Sequence, residues 1–243
     1  AVRYAVDRGI RLIDTAEMYG DGGAEEVVGE AVRDCRDDVF IVSKVYPHNA
    51  GYENAIEACE QSLVRLGTDR IDVYLLHWRG AAPFEETLRA FEILRSSGKI
   101  RYFGVSNLDV ADMDEWWSCP GGDASVTNQV LYNLSRRGVE WDVLPACRKR
   151  GVPAMAYSPL EQGRLQGTPV LSQIARRHGV EPLQIALAWV LAQPGVIAIP
   201  KAIEHSHIDQ NIAALDIVLD AEDLTLLDEA FPPPTGPSHL EML

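Results

Sequence analysis

The chain has 243 residues, 47% of them hydrophobic and 24% charged, an ordinary globular profile with enough length for one large core. Its formal charge of −14 argues against nucleic acid or an anionic membrane as a partner, and an anionic cofactor would need a local cationic pocket. No apolar run is long enough to span a bilayer. Cys35, Cys59, Cys119 and Cys147 are scattered without paired spacing; they read as reduced, mostly buried thiols of a cytoplasmic protein.

The chain opens on "AVRYAVDRG", spaced like a helix running into Gly9. Strand-like runs follow at residues 11–16, 39–44, 71–77, 100–107, 124–129, 152–158 and 196–201. Helical patterns lie between them. "NAIEACEQSLVRLG" puts Ile56, Cys59, Leu63 and Leu66 on one face and ends at Gly67. "EETLRAFEILRSSG" does the same with Leu88, Phe91 and Leu94, and "EPLQIALAWVLAQPG" carries Pro182 in its first turn. "AEDLTLLDEAF" predicts a closing helix, and "PPPTGPSHLEML" a tail near the mouth of the fold. Alternating strands and helices predict βαβ units, a parallel sheet and one α/β domain over residues 1–243. Seven strands are one short of a (β/α)8 barrel. The first helix has no N-cap residue before it, so a strand is expected to precede it, N-terminal to this sequence.

Parallel barrels carry their active sites at the carboxyl ends of the strands. Those positions read Asp14, Lys44, His77, Ser106 with Asn107, Gln129, Tyr157 with Ser158, and Lys201, while Tyr19 follows Asp14 in the rising loop. Each has an ordinary explanation alone: Asp14 as the N-cap of "DTAE", Lys44 as a solvated strand tip, Tyr19 as a loop tyrosine, His77 as a satisfied edge histidine. Together they suit one chemistry. A phenol with a pKa near 10 is a poor acid at neutral pH unless its phenolate is stabilised. A neighbouring ammonium does that, a carboxylate would hold the ammonium, and a neutral imidazole could orient a carbonyl. This is the proton-donating half of a carbonyl reduction. Side chains cannot supply the hydride, so a nicotinamide cofactor is implied.

Other features carry less. "GDGG" (residues 20–23) lacks phosphate-loop spacing. No His-x-His ends the first available strand, so no metal site is expected. Trp116 and Trp117 suit a core or interface; His178, before Gly179, suits a helix end; His48, His205 and His239 read as exposed.

"IDTAEMYGDGGAEEVVGEAV", "VSKVYP", "YLLHW", "GKIRYFGVSN", "TNQVLYN", "AYSPLEQG" and "IAIPKA" together resemble the aldo-keto reductase family across essentially the whole chain. The resemblance implies a (β/α)8 TIM barrel that binds NADPH without a Rossmann fold. It implies Tyr19 as general acid, Lys44 and Asp14 tuning it, and His77 orienting the carbonyl. Ser106, Asn107 and Gln129 would hold the nicotinamide carboxamide, and Tyr157 would stack on its ring. Ser158, Leu160 and Gln162 would line the pyrophosphate channel, Lys201 would meet the 2′-phosphate, and Trp78 and Tyr46 would border the substrate pocket. The stretch "IPKAIEHSHIDQN" departs from the family pattern: Ala202 stands for a serine, His207 for an arginine and Gln210 for a glutamate, while Asn211 is kept. Weaker discrimination against NADH is therefore expected. The run "TAEMYGDGGAEEVVGEA" and the ending "FPPPT…LEML" are similar to a bacterial methylglyoxal-reducing subgroup. A small aldehyde or dicarbonyl is the expected substrate, and a monomer the expected state. The alternatives are a sugar or keto-acid (diketogluconate-type) reductase and a cofactor-binding barrel acting as an interaction module.

Overall fold

The computed structural model describes residues 1–243. Its strands are β1 (Leu12–Asp14), β2 (Phe40–Val45), β3 (Ile71–Leu76), β4 (Ile100–Ser106), β5 (Asn128–Leu131), β6 (Ala154–Tyr157) and β7 (Val196–Ile199), and they form one sheet in sequence order. At least one helix lies in every connection. Sequential order with helical crossovers is the topology of a (β/α)8 barrel, of which seven strands are present. By packing, the chain divides into two compact units, residues 2–128 and 129–243.

The first unit holds β1 to β4, which pair in parallel. All six residues of β3 are buried, as expected of a strand covered on both faces. Around the strands lie α1 (Val2–Asp7), α2 (Gly23–Val32), α3 (Tyr52–Leu66), α4 (Phe84–Ser96) and α5 (Val110–Ser118). Helix α3 buries Cys59, Leu63 and Leu66, and it stops at Gly67, whose φ of 61° is left-handed. Helix α4 buries Leu88, Phe91 and Leu94. Helices α2 and α3 approach so closely that a Cβ on Gly29 would lie 2.3 Å from the Leu66 carbonyl oxygen.

Polar anchors fix the strands from behind. On β2, Ser43 Oγ donates to Glu25 Oε1 of α2 at 2.5 Å, and Arg65 of α3 holds the other carboxylate oxygen at 2.7 Å. The fully buried Asp72 of β3 accepts from Arg36, Arg101 and the Ile41 amide. Both carboxylates are buried with partners, as buried charges must be.

The second unit holds β6 paired in parallel with β7, and helices α6 (Val143–Lys149), α7 (Pro169–His178), α8 (Pro182–Leu191), α9 (His205–Ala213) and α10 (Ala221–Ala230). Pro182 opens α8, and Trp189 from that helix packs against Tyr132 with ring centroids 5.5 Å apart. His178 ends α7 as expected, but its role is more specific than a helix-dipole partner. Its Nε2 lies 2.7 Å from Oδ2 of the buried Asp223 on α10. In the tail, Glu241 accepts from Arg136 at 2.6 Å.

Two sequence expectations shift. The fifth strand covers Asn128–Leu131, not 124–129, because Gly122–Ala124 forms a 3-10 turn. Gln129 is therefore a buried second residue of β5 and not a strand tip. Cys35 lies in a kinked 3-10 stretch and is only half-buried. The other three cysteines are buried, and all four are free. Burial pushes the Cys59 thiol up to about 12 and the Cys147 thiol up to about 11, so both stay protonated. No helix is long and apolar enough to cross a membrane.

Candidate active site

Strand register sets the first group of side chains. Asp14 is the last residue of β1 and Lys44 the penultimate residue of β2. The β2–β3 ladder runs one step past β3, with the His77 amide donating to the Val45 carbonyl at 3.1 Å. His77 thus sits just beyond the strand tip. Its carbonyl accepts from Asn107 Nδ2 at 3.1 Å, and the same amide nitrogen bonds Ser106 Oγ. Asn107, immediately after β4, has φ 54°, a left-handed conformation that asparagine tolerates better than most residues.

Lys44 has no exposed surface. An ammonium taken out of water must have its donors matched. Its Nζ donates to Asp14 Oδ2 at 2.7 Å and to the Thr15 carbonyl at 2.8 Å, and its third direction meets Tyr19 Oη at 3.4 Å. The three contacts account for its three protons. They also aim a fixed positive charge at the tyrosine oxygen. Asp14 is therefore a partner of Lys44 and not an N-cap.

Tyr19 is 38% exposed, on the loop between β1 and α2. Its ring meets His77 edge-on, with centroids 5.8 Å apart. His77 is buried, and its Nδ1 has no hydrogen-bond partner. Burial, with a smaller contribution from Lys44, lowers its pKa from 6.5 to about 3. The ring is neutral at physiological pH and can donate from one nitrogen without carrying charge. An aromatic chain continues outward: His77 to Trp78 at 4.8 Å, Trp78 to Tyr46 at 5.1 Å, and Tyr46 to His48 at 4.3 Å. The first unit thus brings together Asp14, Tyr19, Lys44 and His77 with Tyr46 and Trp78, while Asn107 bonds the His77 carbonyl and Ser106 bonds Asn107.

The second unit places its expected residues as follows. Tyr157 ends β6, half-buried, and Ser158 follows with φ 47°. Leu160 is half-buried and Gln162 is exposed with φ 55°. The turn that holds them is anchored by Asn133 Nδ2, which donates to the Ser158 carbonyl at 2.9 Å and to Glu161 Oε2 at 2.8 Å. Burial raises the Glu161 carboxyl, but bonds from Arg136 and Asn133 outweigh it and hold the group below its usual range. Lys201 lies just past β7, exposed; His207 and Asn211 sit on α9, exposed and half-buried.

Three contributors were not evident from sequence. The Thr15 carbonyl is backbone and leaves no residue signature. His48 gave no sign beyond exposure. Glu17 stands in "DTAE", where it resembles half of a capping box, yet its carboxylate accepts from the Tyr46 amide and from Asn49.

Known proteins resemble this chain closely. The model of the aldo/keto reductase family matches residues 1–231. Methylglyoxal reductase YeaE of Escherichia coli is 53% identical, over all of this chain and 87% of its own length. Glyoxal reductase of Bacillus subtilis is 38% identical, over 94% of this chain and 81% of its own. An aldo/keto reductase of Klebsiella pneumoniae, solved in complex with NADP and acetate, superposes with a TM-score of 0.97 at 52% identity, covering 99% of this chain and 87% of its own. With matching over nearly its full length, the chain belongs to the aldo/keto reductase family.

Proposed function

We propose that this chain reduces small aldehydes and α-dicarbonyls such as methylglyoxal to alcohols, with NADPH as the reductant and Tyr19 as the proton donor. The observation that carries the reading is the Lys44 ammonium, buried, paired to Asp14 and directed at Tyr19 Oη. Relatives named for methylglyoxal and glyoxal reduction support the substrate class. The Klebsiella relative bound to NADP supports the cofactor.

The donor set fits a nicotinamide dinucleotide. Ser106, Asn107 and Gln129 are buried hydroxyl and amide groups, offering both donors and acceptors, as a primary carboxamide requires. Tyr157 offers an aromatic face for a nicotinamide ring. Ser158, Leu160 and Gln162 are proposed for the pyrophosphate, and Lys201, His207 and Asn211 for the adenosine phosphate. In a chain of charge −14, Lys201 provides the local cation a phosphate needs. When bound, the reduced nicotinamide supplies a hydride to the carbonyl carbon.

The protein's part is to manage the oxygen. His77, neutral and buried, donates a hydrogen bond that orients the carbonyl and accompanies its growing negative charge. Tyr19 Oη gives its proton to that oxygen. Lys44 stabilises the phenolate left behind, and Asp14 holds Lys44 in place. Tyr46 and Trp78 form an apolar wall that suits a small substrate. A monomer in the cytoplasm completes the reading, consistent with the free cysteines.

The deciding measurement follows NADPH absorbance with methylglyoxal for the protein and for Tyr19→Phe. General acid catalysis predicts a fall in kcat of about 10²- to 10⁴-fold with NADPH affinity retained. Turnover unchanged in Tyr19→Phe overturns the assignment. NADPH binding without reduction of any small aldehyde favours the interaction-module reading.

A further inference from the structure

We infer that Glu17 is a positioning residue for the reaction, tying the loop that carries Tyr19 to the loop that carries the aromatic wall. The inference rests on the reading of Tyr19 as proton donor.

The argument begins with how Tyr19 is held. Strand β1 is only three residues long. Past it the chain makes a turn, with the Tyr19 amide donating to the Ala16 carbonyl and the Ala24 amide to the Tyr19 carbonyl, each at 3.1 Å. The phenol is more than a third exposed, and its bond from Lys44 is long at 3.4 Å. That bond and the edge-on contact with His77 are too weak to fix an exposed ring by themselves. The placement of the oxygen therefore depends on the placement of the loop.

Glu17 lies inside that loop, between Asp14 and Tyr19. It is half-buried, and its Oε1 accepts the Tyr46 amide at 2.5 Å and Asn49 Nδ2 at 3.2 Å. Tyr46 is the first residue past β2, and Asn49 closes the 3-10 turn Pro47–Asn49. One carboxylate oxygen thus satisfies an amide just past the end of a strand and holds the turn that follows. The same backbone bears the Tyr46 ring, which meets Trp78 edge-on and His48 at a tilt. The loop of Tyr19 and the loop of Tyr46 thus share one tether, through which Glu17 acts on the reaction.

The test uses Glu17→Ala, Glu17→Gln, Asn49→Ala and Tyr19→Phe in the full chain. Readouts are kcat and KM for methylglyoxal, NADPH affinity from fluorescence, and Tm. Displacing reacting groups by an ångström can cost about a hundredfold. The expected result is therefore a roughly tenfold to hundredfold loss of kcat/KM in Glu17→Ala, with NADPH affinity unchanged. Glutamine keeps an oxygen acceptor at the same reach, so Glu17→Gln should restore most of the loss. Asn49→Ala removes one of the two bonds and should show a smaller loss of the same kind. It decides the matter if Glu17→Ala does not fold.

Wild-type kcat/KM in Glu17→Ala overturns the tether, as does an equal loss in alanine and glutamine variants. So does wild-type kcat/KM in Asn49→Ala where Glu17→Ala fails to fold. Tyr19→Phe separates this from the underlying reading. Full turnover there removes the acid itself, whereas a slow Tyr19→Phe beside a fully active Glu17→Ala removes only the tether.

Discussion

Lys44 and Asp14 meet as a buried pair, Nζ to Oδ2 at 2.7 Å, with the ammonium wholly out of water and the carboxylate side chain 13% exposed. Taking one partner away leaves the other charge uncompensated. Asp14→Ala should lower folding stability by about 3–5 kcal/mol, the usual cost of breaking a buried pair. Urea unfolding measures it; a loss below about 1 kcal/mol, the ceiling for exposed pairs, would show that water screens the pair.

His77 makes folding sensitive to acid. Its pKa falls from 6.5 to about 3 through burial first and Lys44 second. Between those values the unfolded chain binds a proton that the folded chain refuses, so stability rises with pH across this window. The His77 contribution is complete above about pH 6.5 and is lost as pH falls toward 3. Urea midpoints at pH 7 and pH 4.5 should diverge less in His77→Gln than in the wild type. Equal divergence would mean that the imidazole is not the group concerned.

The coenzyme preference should be modest. His207 stands where an arginine is expected and lacks the guanidinium fork. His207→Arg should add a charge-assisted contact and raise the NADPH-over-NADH ratio of kcat/KM by roughly tenfold. A wild type that already prefers NADPH by several thousandfold would place discrimination elsewhere, in keeping with Lys201 acting alone.

Gly29 is a packing constraint remote from the chemistry. An alanine Cβ would lie 2.3 Å from the Leu66 carbonyl, a clash with backbone that no rotamer relieves. Gly29→Ala should destabilise the fold by about 1–3 kcal/mol, read from thermal or urea unfolding, and leave kcat near wild type. An unchanged Tm would mean that α2 and α3 part without cost.

Strand ends were readable because polar residues interrupt apolar runs there. Asp14, Lys44 and His77 each had an ordinary explanation alone and stood out only together, at or just past the ends of successive strands, with Tyr19 in the loop after the first. The fifth strand begins later than the strand-like residues of "ASVTNQ" suggest, because Gly121 and Gly122 favour a turn and Asn128 opens the strand with a side-chain bond to the Leu108 carbonyl. Tertiary context decided that boundary. Glu17 was legible only as a local capping residue, because its partners lie about thirty positions away and no periodicity reports a side chain that crosses between loops. The Thr15 carbonyl could not be read at all, since every residue carries one.

Ser43 and Lys44 are neighbours on β2, and alternation sends them to opposite faces of the sheet. Ser43 is latched to Glu25 and through it to Arg65; Lys44 faces the tyrosine. Sliding β2 by one residue would exchange them, offering the phenol a hydroxyl and burying an ammonium against the helices. The latch on the far side is thus what gives the ammonium its address. Loops above the strands can diversify while the ammonium beside Tyr19 stays where the helices have pinned it.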